Sequence, residues 1–248
     1  MPSSGLARFR VLEDVIMAHE PLVLVPGLNC TEALFAPQRE AIGRSREVII
    51  ADHRQDATIA AVAERLLAEA PPVFALGGLS FGGYVAFEVM RRAPERVTRL
   101  ALLDTRASAD TEQDAEIRRM TLKFAERGHF DEVHSLLWHR LVDVARVHDA
   151  ALEAQVRAMH DATGPETFIR QQKAVLARPD YQPGLGAIIC PTLVLVGEGD
   201  VITPPFMSED MADAIPGARL VRIPDCGHLS TLERPEAVNA ALADWLAW

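Results

Sequence analysis

The sequence predicts an α/β protein with a mostly parallel central sheet flanked by helices, and three observations carry that reading. Short apolar, Val-rich runs alternate with stretches of helical periodicity along most of the 248 residues. Such alternation implies a parallel sheet covered on both faces. Gly78-Leu79-Ser80-Phe81-Gly82 follows the apolar run Pro72 to Leu76 and precedes a helical pattern from Gly83 to Met90. Between Ser108 and Gly186 the alternation stops, and only helical periodicity remains.

Pro21 to Val25 reads as the first core strand, closed by Pro26-Gly27, and Val48 to Ala51 as the second, ending at Asp52. Pro37 to Ile42 is a short helix between them. Ile59, Val62, Leu66 and Leu67 lie three and four apart within Thr58 to Ala70, which gives one helical face. Val73 to Leu76 is a strand, Phe81 to Arg92 a helix halted before Pro94, and Val97 to Leu103 a strand ending at Asp104. Helices over Glu112 to Arg127, Phe130 to Val142, Ala150 to Met159 and Glu166 to Ala177 follow, punctuated by Gly128, Gly164 and Pro179. Strand Thr192 to Val196, helix Pro204 to Ala214, strand Arg219 to Ile223 and helix Pro235 to Trp248 complete the chain. The expected organisation is one core, residues 1–107 and 187–248, with residues 108–186 inserted as a helical cap. A helical insertion leaves a parallel sheet at its carboxyl edge, so the cap is expected to lie over Ser80.

Composition narrows the function classes. A 49% hydrophobic chain without a Pro, Gly or Ser-rich linker can bury one large core. The net charge of −10 and the lack of clustered Lys and Arg argue against a nucleic-acid partner. No run approaches the roughly 18 apolar residues of a membrane span, and Met1 to Arg10 lacks a signal-peptide core, so no membrane association and a cytoplasmic location are expected. Cys30, Cys190 and Cys226 are odd in number and far apart, which signals neither a disulfide framework nor a zinc site. The histidines show no metal-ligand spacing such as H-E-x-x-H, so no metal and no cofactor are inferred.

In a strand–turn–helix context, G-x-S-x-G is a nucleophile elbow, with glycines where side chains would strike the neighbouring strand and helix. A serine hydroxyl needs a base, an orienting carboxylate and oxyanion donors. His228, in Asp225-Cys226-Gly227-His228 after the last strand, is the favoured base; His53, after Asp52, is its rival. Asp200, in the turn Gly197-Glu198-Gly199-Asp200, is the favoured carboxylate, with Asp104 as the alternative. The backbone N–H groups of Phe81 and Leu28 are the expected oxyanion donors, the second from the loop Pro26-Gly27-Leu28-Asn29.

The segments LVLVPGLN, LGGLSFGGYVAFEVM, CPTLVLVGEGDVITPP and IPDCGHLSTLERPEAV together resemble the oxyanion loop, elbow, acid turn and histidine loop of the α/β-hydrolase superfamily. Within it, the chain is similar to small capped carboxylesterases, including methyl-ester esterases. The resemblance runs from about Pro21 to the C-terminus. It implies a cap between the family's sixth and seventh strands, a Ser80-His228-Asp200 triad and a small-molecule ester substrate. Pro26 stands where the family often has His, and the short stretch before Pro21 implies a trimmed leading hairpin. A serine nucleophile counts against the epoxide hydrolases and haloalkane dehalogenases of this fold.

Asn29, Trp138 and Phe168 are the candidate substrate-contacting residues, with Leu136, Leu137, Met120 and Met159 as further apolar cap positions. Arg170-Gln171 and Arg178-Pro179-Asp180 are candidates for fastening the cap hinge. The expected activity is serine-dependent cleavage of a small or medium carboxylic ester, thioester or lactone. The alternatives are a triad-bearing non-esterase of the same fold, namely a cofactor-free dioxygenase, lyase or perhydrolase, and a non-catalytic small-molecule receptor. Oligomeric state stays open at this stage.

Overall fold

A computed structural model describes residues 20–248. Its strands are β1 (Leu22–Val25), β2 (Val48–Ile50), β3 (Phe74–Leu79), β4 (Val97–Leu103), β5 (Thr192–Gly197) and β6 (Arg219–Ile223). They pair in the order β2-β1-β3-β4-β5-β6, every pairing parallel. Strands β1, β3 and β5 are buried throughout, as continuous apolar runs must be when helices cover both faces of a sheet.

The period-two alternation of a strand sorts neighbouring side chains into two apolar layers. Val23, Val25, Leu76, Leu100 and Val194 pack under α2 (Ile59–Glu69), α3 (Phe81–Arg92) and α7 (Pro205–Ala214), meeting Val62, Leu66, Val85, Val89 and Met211. Leu22, Leu24, Ala75, Leu103 and Leu193 face the opposite side, where α1 (Ala36–Ile42) and α9 (Pro235–Trp245) supply Ile42, Val238, Leu242 and Trp245. Local signals set the helix starts. Thr58 caps α2 by accepting the Ala61 N–H at 3.1 Å, and Pro94 ends α3.

Helices α4 (Glu112–Glu126), α5 (Phe130–Leu141) and α6 (Ala150–Leu176) connect β4 to β5, the fourth and fifth described strands. The expected trimmed leading hairpin and His19 fall on residues 1–19, outside the described residues. The helices expected on either side of Gly164 are present as the two halves of α6, which part at a kink where Gly164 takes φ 73° ahead of Pro165. One difference from the sequence-based expectations has a clear cause. Strand β3 runs on to Leu79 through Gly77 and Gly78, which pair with both β1 and β4. A side chain at Gly77 would meet Leu24 Cδ2 at 2.7 Å, so glycine here permits close pairing and does not break the strand. A short helix, α8 (Ser230–Glu233), not expected from periodicity, precedes α9.

Among the described residues no helix is long and apolar enough to cross a membrane. Cys30, Cys190 and Cys226 are free thiols. Burial raises the Cys30 thiol to about 12, which keeps it protonated.

Candidate active site

Ser80 lies between the end of β3 and the first residue of α3, with φ 53° and ψ −109°. A non-glycine residue held there costs on the order of 1–3 kcal/mol and persists only where its surroundings impose it. The surroundings do so. The Ser80 N–H donates to Leu103 O at 3.0 Å, and the Ser80 carbonyl accepts from Thr105 Oγ1 at 2.8 Å. A Cβ at Gly78 would collide with the Gly82 carbonyl, and one at Gly82 with the Val25 carbonyl, so the turn closes only with glycine at both places.

The serine hydroxyl meets a buried imidazole. Ser80 Oγ lies 2.9 Å from His228 Nε2, and His228 Nδ1 lies 2.7 Å from Asp200 Oδ2. Asp200 is fixed in turn, with Oδ1 accepting from the N–H groups of Ile202 at 2.8 Å and Thr203 at 3.0 Å. Thr203 Oγ1 donates to Oδ2 at 2.7 Å. Burial alone would lower the basicity of His228; the charge and hydrogen bond of Asp200 oppose this, and the net effect lifts its pKa above the ordinary histidine value.

Asp104, the alternative carboxylate, makes no hydrogen bond to His228 among the described residues. It is fully buried, accepts the Gly197 N–H at 2.9 Å, and is hydrogen-bonded to Ser230 Oγ. Burial and the neighbouring Asp200 charge raise its pKa to about 8, which favours the neutral acid, and its hydrogen bonds tie β4 to β5 and to α8. Glu233 performs the corresponding task for the histidine loop. Its carboxylate accepts from Gly227 N–H at 3.0 Å, Leu229 N–H at 3.3 Å and Asp143 N–H at 2.8 Å, so it flanks His228 on both sides.

His53, the rival base, has a different place. Burial lowers its pKa to about 4, so it is neutral, and Nε2 is 2.8 Å from the Gly27 carbonyl, to which it donates. That carbonyl and the Leu28 N–H belong to one trans peptide unit and point in opposite directions. Fixing the carbonyl therefore aims the N–H. The register Val25↔Gly78 brings the loop after β1 beside the elbow, at the switch point where the sheet order reverses, a common position for ligands. Among the described residues neither the Leu28 nor the Phe81 N–H has an acceptor.

A cavity of about 110 Å³ opens on Ser80 and His228, lined on the core side by Leu28, Asn29 and Tyr84 and on the insertion side by Arg118, Leu137, Arg140 and Gln172. Asn29 binds the insertion through its N–H to Gln171 Oε1 at 2.9 Å and through Nδ2 to His160 Nδ1 at 2.8 Å. Trp138 and Phe168 do not line this cavity. Trp138 is buried with its indole N–H on Val147 O at 2.9 Å, and Phe168 packs among Ala125, Phe130 and Val133. Of the other apolar cap candidates, Leu137 reaches the cavity, Met159 is core, and Leu136 and Met120 are exposed. Arg178 ion-pairs with Asp110 at 2.9 Å, whereas Arg170 bonds the Arg54 carbonyl at 2.8 Å. Thr203, Glu233 and His53 were not assigned these contacts from the sequence, because each acts on a residue distant in the chain or through an undistinguished hydroxyl.

The profile described as the alpha/beta hydrolase family matches residues 22–241. The chain belongs to the alpha/beta hydrolase family. It is similar to a putative non-heme bromoperoxidase, BpoC, of Mycobacterium tuberculosis, 29% identical over 68% of this chain and 66% of the relative, just under two thirds of its length. A pimeloyl-[acyl-carrier protein] methyl ester esterase of Aromatoleum aromaticum is 28% identical over 75% of this chain and 79% of its own. Among solved structures, a thermophilic esterase from Thermogutta terrifontis superposes with a TM-score of 0.85 at 32% identity, covering 93% of this chain and 90% of that one. The expected α/β-hydrolase fold is therefore met.

Proposed function

We propose that this hydrolase cleaves a small or medium carboxylic ester, or the related thioester or lactone carbonyl, through an acyl-enzyme on Ser80. The observation that carries the proposal is the unbroken relay from Ser80 Oγ to His228 at 2.9 Å and on to Asp200 at 2.7 Å, opening on one cavity. His228 Nε2 takes the Ser80 proton as Oγ attacks the carbonyl, and Asp200 holds the imidazole and steadies the imidazolium. The Leu28 and Phe81 N–H groups receive the oxyanion, with His53 orienting the Leu28 donor through the Gly27 carbonyl. His228 then protonates the leaving alcohol and activates water to release the acid. Residues 108–186 act as the cap over the site, with Leu137 and Arg140 of α5 among its contributions to the wall.

Ser80→Ala should abolish turnover of a short-chain 4-nitrophenyl ester, and retained serine-independent turnover by the variant would sink the proposal. The relative named as a putative bromoperoxidase supports a second reading, in which peroxide replaces water as the acyl acceptor. A peracid assay with acetate and hydrogen peroxide separates the two.

A further inference from the structure

The cavity at Ser80 carries charge that ester hydrolysis does not use. Its walls hold three arginines, Arg106, Arg118 and Arg140, against one carboxylate, Asp114, in a chain of net charge −10. Asp114 is already engaged, because its Oδ2 accepts from Arg106 Nη1 at 2.8 Å and Thr111 Oγ1 at 2.8 Å. Behind that wall a single carboxylate, Asp110, serves Arg118 at 2.7 Å, Arg178 at 2.9 Å and Arg106. Three guanidiniums thus share two carboxylates. The side chains of Arg106 and Arg178 are only 3% and 1% exposed, so solvent does little to screen the surplus.

Part of that surplus has a structural outlet. Arg178 donates to the carbonyls of Val175 and Ser108 and stacks 4.2 Å from the Tyr84 ring centre, which fastens the insertion to the core. Arg118 spends Nε on Asp110 and Nη1 on Gln172 Oε1, leaving Nη2 without a partner among the described residues. Arg140, half-buried at the last turn of α5, makes no hydrogen bond or ion pair among the described residues although it lines the cavity. A guanidinium is a fork of donors matched to a carboxylate, and low-dielectric cavity walls concentrate its field.

We infer that the substrate of this site is an anionic ester bearing a carboxylate away from the scissile carbonyl, received by Arg140 together with the free N–H of Arg118. The inference rests on the hydrolase reading above and adds the charge of the substrate. Arg106, Asp110 and Arg178 join core to insertion whether or not a ligand is bound. Arg140 has no such structural duty, and it is the residue to test.

The experiment compares kcat/KM for mono-4-nitrophenyl glutarate with that for the glutaramate ester of the same length and no charge. Wild type should favour the carboxylate by about tenfold or more at low salt, with the ratio shrinking as ionic strength rises. Arg140→Gln should bring the ratio close to one and Arg140→Lys should recover much of it, the loss falling mainly in KM. Fluorophosphonate labelling of Ser80 in each variant reports an intact site. A wild-type ratio of one or below overturns the inference, and a full ratio in Arg140→Gln overturns the role given to Arg140. Turnover without charge preference but with labelled Ser80 removes this inference alone, whereas inert esters and unlabelled Ser80 remove the hydrolase reading beneath it.

Discussion

His228 is buried between a carboxylate and a hydroxyl, and its raised pKa has a signed consequence. Only the neutral imidazole can accept the serine proton, so kcat/KM should fall as pH drops through a value above the ordinary histidine pKa of about 6.5. A pH profile checks this, and Asp200→Asn should lower kcat on the order of ten-thousand-fold by loss of the correct tautomer. His53 offers a test of the oxyanion loop. His53→Leu removes the side-chain donor to Gly27 O, leaving that carbonyl only the Cys30 N–H at 3.2 Å, and should cut kcat by roughly ten- to a hundredfold with KM little changed, while His53→Gln, which can place an N–H near the same point, should restore most of it. Ser80, Asp200 and His228, which the structure brings together, were legible because each follows a strand end in a Gly-bearing segment. Thr203, Glu233 and the role of His53 were not, since their partners lie across the fold or a turn away and no local pattern marks them. Trp138 and Phe168 were misplaced for a related reason: apolar periodicity on α5 and α6 does not say whether a face meets a cavity or another helix.

At the scale of elements, Asp104 joins three pieces of the structure, the end of β4, the first residue of the acid turn and the start of α8. Its folded pKa of about 8 lies above its unfolded value, so folding takes up a proton between about pH 4 and 8. Stability from this group is fully present below that window and is lost as pH rises through it. Asp104→Asn can keep a hydrogen bond to the Gly197 N–H and another to Ser230 while removing the titration. Its melting temperature should gain on wild type by a few degrees between pH 5 and 8 in a thermal-shift series, with ester turnover within about threefold of wild type. The strands and most helix bounds could be read from period and punctuation. The exception was set by pairing partners: β3 continues through Gly77 because β1 and β4 flank it.

At the scale of the molecule, the link between insertion and sheet is electrostatic as well as apolar. Asp110, held by Arg178, Arg118 and Arg106, keeps a pKa of about 2: burial would raise it, and the guanidiniums prevail. The folded pKa is depressed, so its contribution is present above about pH 4 and lost as pH falls toward 2. Asp110→Ala leaves Arg118 and Arg178 without a carboxylate and Arg106 on Asp114 alone, and should cost about 3 kcal/mol at pH 7, a difference that closes in acid and is read by denaturant titration across pH. The fold was legible as a whole because alternation, elbow and loops agree in order. The charge surplus at the cavity was not, because Arg106, Arg118 and Arg140 are dispersed along the chain and meet only in space.

Covalent chemistry at Ser80 is the central claim, and intact-mass analysis with peptide mapping after exposure to a fluorophosphonate tests it most directly. The account predicts one phosphonyl group per chain, on the peptide containing Ser80, formed rapidly in wild type and at a strongly reduced rate in His228→Ala. Ester turnover by a protein that stays unlabelled, or a label carried on another residue with Ser80 free, would contradict it.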